Sequence, residues 1–425
     1  MALPIPELLR PHLARPVAIL GGGASGQGAR ALVAALGGTS ATYDARGAEF
    51  TAAAAASHGL VVFSPGFAPD HPWLARAAAA GAILVGEVDF AALCWRGRIV
   101  AITGTNGKTT LTEFLAHALL AIGREAAATG NIGRAFSGVA AAAGGRPDAI
   151  AVCEVSSFQA ETLRHFRAEA ALWTNFAEDH LERHRSLKAY FAAKDRLAEL
   201  SGTVFAGSSV RAFAEPGEPR PNIIWVPTAG QPADPALAGT VFADYPQREN
   251  FLLAAAWWRA AGLDPAALYA AARTFRLGRH RLARVAEVDG VTFWNDSKAT
   301  NFHAVEAALA RFPRPVLLIA GGRAKGGDLA GFARRIAPRV RRAFLIGETG
   351  PALAAELAAA GVPAVLCPGL GEAVRRAADE AGPGDQVLLS PGFASFDQFK
   401  GYEDRGDQFE QAVHFTTRPS LSLIP

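Results

Sequence analysis

Short, uninterrupted apolar runs alternate along this chain with longer stretches in which apolar residues return every third or fourth position. The runs stand at Val17–Leu20, Thr39–Tyr43, Leu60–Phe63 and Ala82–Val85. They continue from Ile99, at Ala149–Val155 and Ala171–Asn175, and resume at Val291–Trp294, Val316–Ala320, Arg342–Ile346, Ala364–Cys367 and Gln386–Ser390. Strands and helices in strict alternation predict parallel α/β layers. Helices are expected at 188–200, 250–261 and 265–273, and 202–245 reads as a looser, Pro- and Gly-rich region. Alanine runs such as TAAAAAS (51–57) read as helix, because alanine is the best helix former. Three α/β domains follow, at 1–95, 96–277 and 278–425.

Composition narrows the setting more than the fold. The 425 residues suffice for several cores. The balance of 42 basic against 39 acidic residues, +3, lacks the concentrated basic surface of a nucleic-acid binder. Cys94, Cys153 and Cys367 form no CxxC pair and fit a reducing compartment. The N-terminus carries no apolar signal core and no stretch reaches membrane-spanning length. A cytoplasmic protein acting on small molecules, without nucleic acid or membrane, is the expectation.

Two glycine loops carry candidate chemistry. GGGASG (21–26) follows the first strand, and Asp44 ends the next one. Alone, this pattern fits a nicotinamide or flavin cofactor, another nucleotide or sugar nucleotide, or a structural turn. GTNGKTT (104–110) lies between a β-branched run and a helical pattern. As an ATP or GTP site, rather than a glycine-rich strand–helix turn, it would place the N–H groups of Gly104, Thr105, Asn106 and Gly107 and a helix start around a phosphate. Lys108 would reach the β- and γ-phosphates, Thr109 would ligate Mg²⁺, and Thr110 extends the helix start. Ile102 stands where a full P-loop has its first glycine.

Glu154 ends a buried-strand pattern and reads either as a carboxylate that takes Mg²⁺ beside a triphosphate or as a salt-bridged glutamate at the strand end. His180, in TNFAEDHLERH, reads either as a second metal ligand or as a packed or capping residue. Lys188 and Lys194, on an amphipathic helix, read by composition as solvated lysines.

In order, GTNGKTT, GNIG (130–133), EVSSFQ (154–159), TNFAEDHLERH (174–184), AAKDRL (192–197), HR (280–281), NDSKATN (295–301), GGRAKGG (321–327) and LLSPGFASFDQFKGYEDRGDQF (388–409) resemble the Mur ligases. The likeness spans about residues 17 to 413. It implies an N-terminal Rossmann-like domain for a UDP-sugar, a central P-loop ATPase with a mostly parallel sheet, and a C-terminal Rossmann-like domain. It also implies an ADP-forming amide ligase that adds glutamate, in the D form, to UDP-N-acetylmuramoyl-L-alanine in peptidoglycan precursor synthesis. The alternative is L-glutamate or another amino acid on a UDP-muramoyl substrate.

By this resemblance Ser25, Asp44, Arg46 and Asn131 contact the UDP substrate. Asn250, Arg281 and Asp296 hold the nucleotide, and Lys298, Thr300, Lys325, Ser395 and Tyr402 grip the amino acid. Lys108, Glu154, His180 and Lys194 are catalytic. Two Mg²⁺ ions would be held by Thr109, Glu154, His180 and Lys194, the lysine as a carbamate formed with CO₂. The enzyme is expected to act as a monomer. The chain departs from the family pattern at Gln247, Ala283, Ala324 and SPGFAS. A dehydrogenase, a P-loop kinase and a ligase-like binding protein are the rival classes. A dehydrogenase leaves the second loop unexplained, and a kinase would leave no acyl phosphate for hydroxylamine to trap.

Overall fold

The computed structural model describes residues 3–143, 146–214 and 220–416. Among the described residues three separate sheets form. The first holds β1 (Val17–Leu20), β2 (Ser40–Tyr43), β3 (Leu60–Phe63) and β4 (Ile83–Gly86) in the order β2-β1-β3-β4, all parallel. The second holds β5 (Arg98–Thr103), β6 (Ala126–Gly130), β7 (Ile150–Glu154), β8 (Ala168–Trp173), β9 (Ser201–Ala206) and β10 (Ile223–Trp225). Its order is β10-β9-β8-β5-β7-β6, again parallel throughout. The third holds β11 (Ala283–Val288), β12 (Val291–Asn295), β13 (Val316–Gly321), β14 (Val340–Ile346), β15 (Ala364–Leu366) and β16 (Gln386–Leu389). Its order is β11-β12-β16-β13-β14-β15, and β11 alone runs antiparallel.

The expected α/β class is what forms. The apolar runs are strands because both faces of a parallel sheet are covered by its crossover helices. β13 shows the mechanism. Leu318 and Ala320 enter one core with Val305, Phe332 and Leu353, while Leu317 and Ile319 enter the opposite core with Val374, Phe409 and Val413. Successive side chains of a strand point to opposite faces, so a strand covered on both sides must be apolar at every position. The alanine run at 52–56 is a helix capped by Thr51, whose side chain accepts the Ala54 N–H.

Some elements escape the pattern. The apolar pattern does not reveal β6, β9, β10 and β11; β10 and all but the first residue of β9 lie inside the stretch that reads as loose. β10 and β11 are edge strands, partly exposed, so their composition is mixed. The strand expected at Ala171–Asn175 starts at Ala168 and stops at Trp173, which frees Thr174 and Asn175 for the loops.

Two compact units divide the chain. One comprises the chain up to Phe176 together with Lys188–Phe275, and holds the first two sheets. The other comprises Ala177–Leu187 and the chain from Arg276 onward, with the third sheet. No helix among the described residues is long and apolar enough to cross a membrane.

Candidate functional site

In the first unit the chemistry gathers at the carboxyl ends of β5, β7 and β8, adjacent strands of one parallel sheet. Ligands bind at such ends, where loops leave a sheet in opposite directions. β5 runs directly into Gly104–Gly107, and the helix Lys108–Ala121 begins at once. The Lys108 ammonium folds back over the loop, donating to the carbonyls of Gly104 at 2.9 Å and Thr105 at 2.8 Å. The end of β8 braces the loop from the other side. Asn175 Oδ1 accepts the Asn106 N–H at 2.8 Å, while Asn175 Nδ2 and Thr174 Oγ1 donate to the Asn106 carbonyl at 3.1 and 2.6 Å.

Gly107 takes a left-handed φ of +81°, and a Cβ there would stand 2.5 Å from Asn250 Oδ1. Asn250 is thus packed on the loop. Its Nδ2 donates to Gln247 Oε1 at 2.8 Å, so the glutamine at the departing position orients it. Thr105 and Thr110 are buried, and Thr109 is half-buried at the helix start.

Lys194 is not the solvated lysine that composition suggests. It is 1% exposed, and its Nζ donates to the Gly104 carbonyl at 2.7 Å and lies 4.8 Å from the centre of the Tyr190 ring. Tyr190 Oη reaches Thr105 Oγ1 at 3.3 Å. Tyr190 stands one helical turn before Lys194, so both meet the same loop.

Glu154 is 2% exposed at the end of β7. Its Oε1 accepts from Asn131 Nδ2 at 3.0 Å, and its main-chain carbonyl accepts the Asn131 N–H at 2.9 Å. Glu154 Oε2 is buried without a hydrogen-bond partner. A carboxylate oxygen in that state is incomplete as it stands, and a hard cation would complete it. The donor chemistry therefore fits Mg²⁺, although no group of three or more His, Cys, Asp or Glu able to hold a metal exists among the described residues. Glu154, Lys194 and Thr109 belong to the first unit and His180 to the second.

On the first sheet, helix Ala24–Ala35 starts just after the GGGASG turn and carries Ser25. A Cβ at Gly26 would fall 1.8 Å from the Gly21 carbonyl, so only glycine permits this helix–loop approach. Asp44 closes the loop by accepting the N–H of Gly22 at 2.7 Å and of Arg46 at 3.1 Å. The Gly22 bond, then the Arg46 bond, hold its carboxyl below the ordinary aspartate range. Arg46 is exposed beside it.

In the second unit, Asp179, His180, Thr300, Asn301, Phe302 and Lys325 line one small recess. Lys325 Nζ lies 3.8 Å from Asp179 Oδ1 and 3.4 Å from Thr300 Oγ1. Asn301 Nδ2 donates to Asp179 Oδ2 at 2.9 Å. His180 has a left-handed φ of 55° and sits 3.6 Å from Asp179; burial pulls its pKa down, against the pull of Asp179. Lys298 Nζ packs 3.8 Å from the centre of the Tyr402 ring, and Ser395 is buried. Asp296 accepts from Ser390 Oγ at 2.9 Å and from the Leu282 N–H at 3.0 Å, and burial pushes its carboxyl up to about 7 even though the Arg281 charge opposes this.

Sequence reasoning did not single out Asn175, Tyr190, Asp179, Asn301 or Arg405. Arg405 is fully buried and holds Ser297 and the Phe393 carbonyl in place. Spacing could have flagged Tyr190, four residues before Lys194; Arg405 gives no such signal, because its partners are about a hundred and about ten residues distant.

A glycine loop between strand and helix on a parallel sheet, with a buried lysine and a half-satisfied buried carboxylate beside it, has the form of a nucleotide-dependent phosphoryl-transfer enzyme of the α/β class. Residues 102–206 match the Mur ligase middle domain and residues 280–393 the Mur ligase, glutamate ligase domain. The chain belongs to the Mur ligase family. It is 40% identical to the UDP-N-acetylmuramoylalanine–D-glutamate ligase of Frankia casuarinae, over 94% of this chain and 93% of that one. The enzyme of the same name from Solibacter usitatus is 38% identical, with 84% of each chain covered.

Among solved structures, the UDP-N-acetylmuramate-alanine ligase of Thermotoga maritima superposes with a TM-score of 0.61 at 15% identity, covering 95% of this chain and all of that one. The MurF ligase of Thermotoga maritima, solved in complex with ADP, gives 0.55 at 15% identity over 84% of this chain and 95% of that one. These two likenesses establish the fold.

Proposed function

We propose that this enzyme is an ATP-dependent, ADP-forming ligase that joins D-glutamate to UDP-N-acetylmuramoyl-L-alanine in peptidoglycan precursor synthesis. The observation that carries the reading is the constellation at β5, β7 and β8: Lys108 and Lys194 on the loop carbonyls, and Glu154 with one buried oxygen unclaimed. The relatives named for that reaction supply the substrates.

A carboxylate and an amine do not condense in neutral water, because oxide is a poor leaving group. In the proposed reaction the γ-phosphoryl of ATP passes to an oxygen of the alanyl carboxylate, releasing ADP. The glutamate amine, having lost the proton of its ammonium form, then attacks the acyl carbon; the acyl C–O bond breaks, phosphate leaves, and the nitrogen sheds a second proton to the medium as the amide forms. Lys108 exchanges its loop carbonyls for phosphate oxygens, so its charge offsets the charge in transfer. Gly104–Gly107 and the start of helix Lys108–Ala121 orient the triphosphate. Glu154, Thr109, His180 and Lys194 would hold Mg²⁺, with Lys194 as a carbamate, since an ammonium has no lone pair with which to ligate a cation. Bound Mg²⁺ supplies charge neutralisation at the phosphates.

Asn250, Arg281 and Asp296 hold the nucleotide in this scheme, and Ser25, Asp44, Arg46 and Asn131 the UDP substrate. Lys298, Thr300, Lys325, Ser395 and Tyr402 grip glutamate, whose two carboxylates call for cations and hydroxyls. The three sheets serve the three ligands, with domains at 1–95, 96–277 and 278–425. Monomeric action in the cytoplasm completes the proposal.

The test is ADP release with UDP-N-acetylmuramoyl-L-alanine and each amino acid in turn, both hands of glutamate included. Turnover with D-glutamate is expected; failure of every amino acid to support continuous ADP release removes the proposal.

A further inference from the structure

Glu87 is a buried carboxylate for which the scheme above has no use. It is 2% exposed and opens helix Glu87–Cys94, directly after β4 of the first sheet. Its Oε1 accepts two hydrogen bonds from Ser137, the N–H at 2.7 Å and Oγ at 2.5 Å. Its Oε2 is buried without a hydrogen-bond partner. Burial raises its pKa, and both Ser137 bonds oppose the rise.

Ser137 lies at the start of helix Phe136–Ala143, which follows the loop after β6 of the second sheet. That loop carries Asn131. It is pinned at three places: Thr129 Oγ1 donates to the Arg134 carbonyl at 2.8 Å, Asn131 clasps Glu154 through main chain and side chain, and Glu87 holds the far end at Ser137. The Gly28 backbone leaves no slack there, since a Cβ on it would lie 2.6 Å from Ser137 Oγ. Glu87 also lines a small recess together with Gln159, whose side chain accepts the Ser156 N–H in the capping box that follows Glu154. The group that decides which oxygen of Glu154 is left open, Asn131, is thus held by a carboxylate from another sheet.

We propose that Glu87 is a positioning residue for the cation site. Through Ser137 and the loop 130–136 it fixes Asn131, which occupies Glu154 Oε1 and leaves Oε2 to the cation. The first sheet thereby sets the geometry of the phosphate site on the second. This inference rests on the reading of Glu154 as a cation ligand.

The test measures Mn²⁺ affinity by electron paramagnetic resonance in the presence of ADP, with no other substrate. Asn131→Ala weakens Mn²⁺ binding about tenfold, the usual effect of losing a partner that orients a metal ligand. Glu87→Ala weakens it by about threefold or more, and Glu87→Gln, which keeps an acceptor oxygen for Ser137, stays near wild type. Combining Glu87→Ala with Asn131→Ala adds nothing to Asn131→Ala alone, because both act through one side chain. Wild-type affinity in Glu87→Ala, or fully additive effects, overturns the proposal. Should Glu87→Ala not fold, Ser137→Ala, which removes a single donor, is read in its place; wild-type Mn²⁺ affinity there overturns it equally. Mn²⁺ binding indifferent to Glu154→Gln removes the underlying reading and this inference with it. Ligase activity is decided separately, by wild-type ADP release.

Discussion

Lys194 Nζ donates to the carbonyl of Gly104 at 2.7 Å, joining a helix that begins 83 residues after that glycine to the first residue of the phosphate loop. Taking an ammonium out of water costs several kcal/mol unless its surroundings compensate. A lysine at 1% exposure therefore serves the loop it touches. Lys194→Ala is expected to lower kcat by about 100-fold, through a misplaced loop and, on the proposed scheme, the loss of a carbamate. Short carboxylates are expected to restore part of that activity and bicarbonate none. Full turnover by the variant would dismiss both roles.

Gly107→Ala is expected to damage nucleotide binding specifically. At φ +81° an L-residue costs about 1–2 kcal/mol, and the new Cβ would strike Asn250 Oδ1 at 2.5 Å. The KM for ATP should rise by about tenfold or more, with the KM for glutamate unmoved. An unchanged KM for ATP would place the nucleotide elsewhere.

Asp296 gives stability a pH dependence. Burial lifts its carboxyl to about 7, so the folded protein keeps a proton that the unfolded chain releases from about pH 4 upward. Its contribution is full below pH 4 and declines as pH rises towards 7, by at most about 1.4 kcal/mol per unit. Asp296→Asn lacks that decline. In urea unfolding at several pH values, wild-type stability minus variant stability should fall between pH 4 and 7 and level off above. A constant difference contradicts the assignment.

Arg405 stabilises the second unit. Its guanidinium donates to Ser297 Oγ, the Ser297 carbonyl and the Phe393 carbonyl, and burial lowers its pKa to about 10. Arg405→Met strips those acceptors of their donor and should cost about 3 kcal/mol. Calorimetry should show the loss as a lowered unfolding temperature. An unmoved transition would mean that water replaces the guanidinium freely.

The sequence by itself determined the α/β class, because a strand covered by helices on both faces must be apolar at every position, and β1, β3 and β13 are. It also determined the strand–loop–helix at 98–121, whose residues are contiguous and whose context is local. Composition left open which face each lysine meets, and tertiary structure decided it. Lys188 and Lys194 look alike in composition, and only the packing of helix Leu187–Glu199 against the loop buries Lys194. The same holds for Glu87 with Ser137 and for Arg405 with Ser297, whose partners lie 50 and 108 residues away. A buried polar group is defined by what surrounds it, and those surroundings come from remote segments that no local pattern encodes.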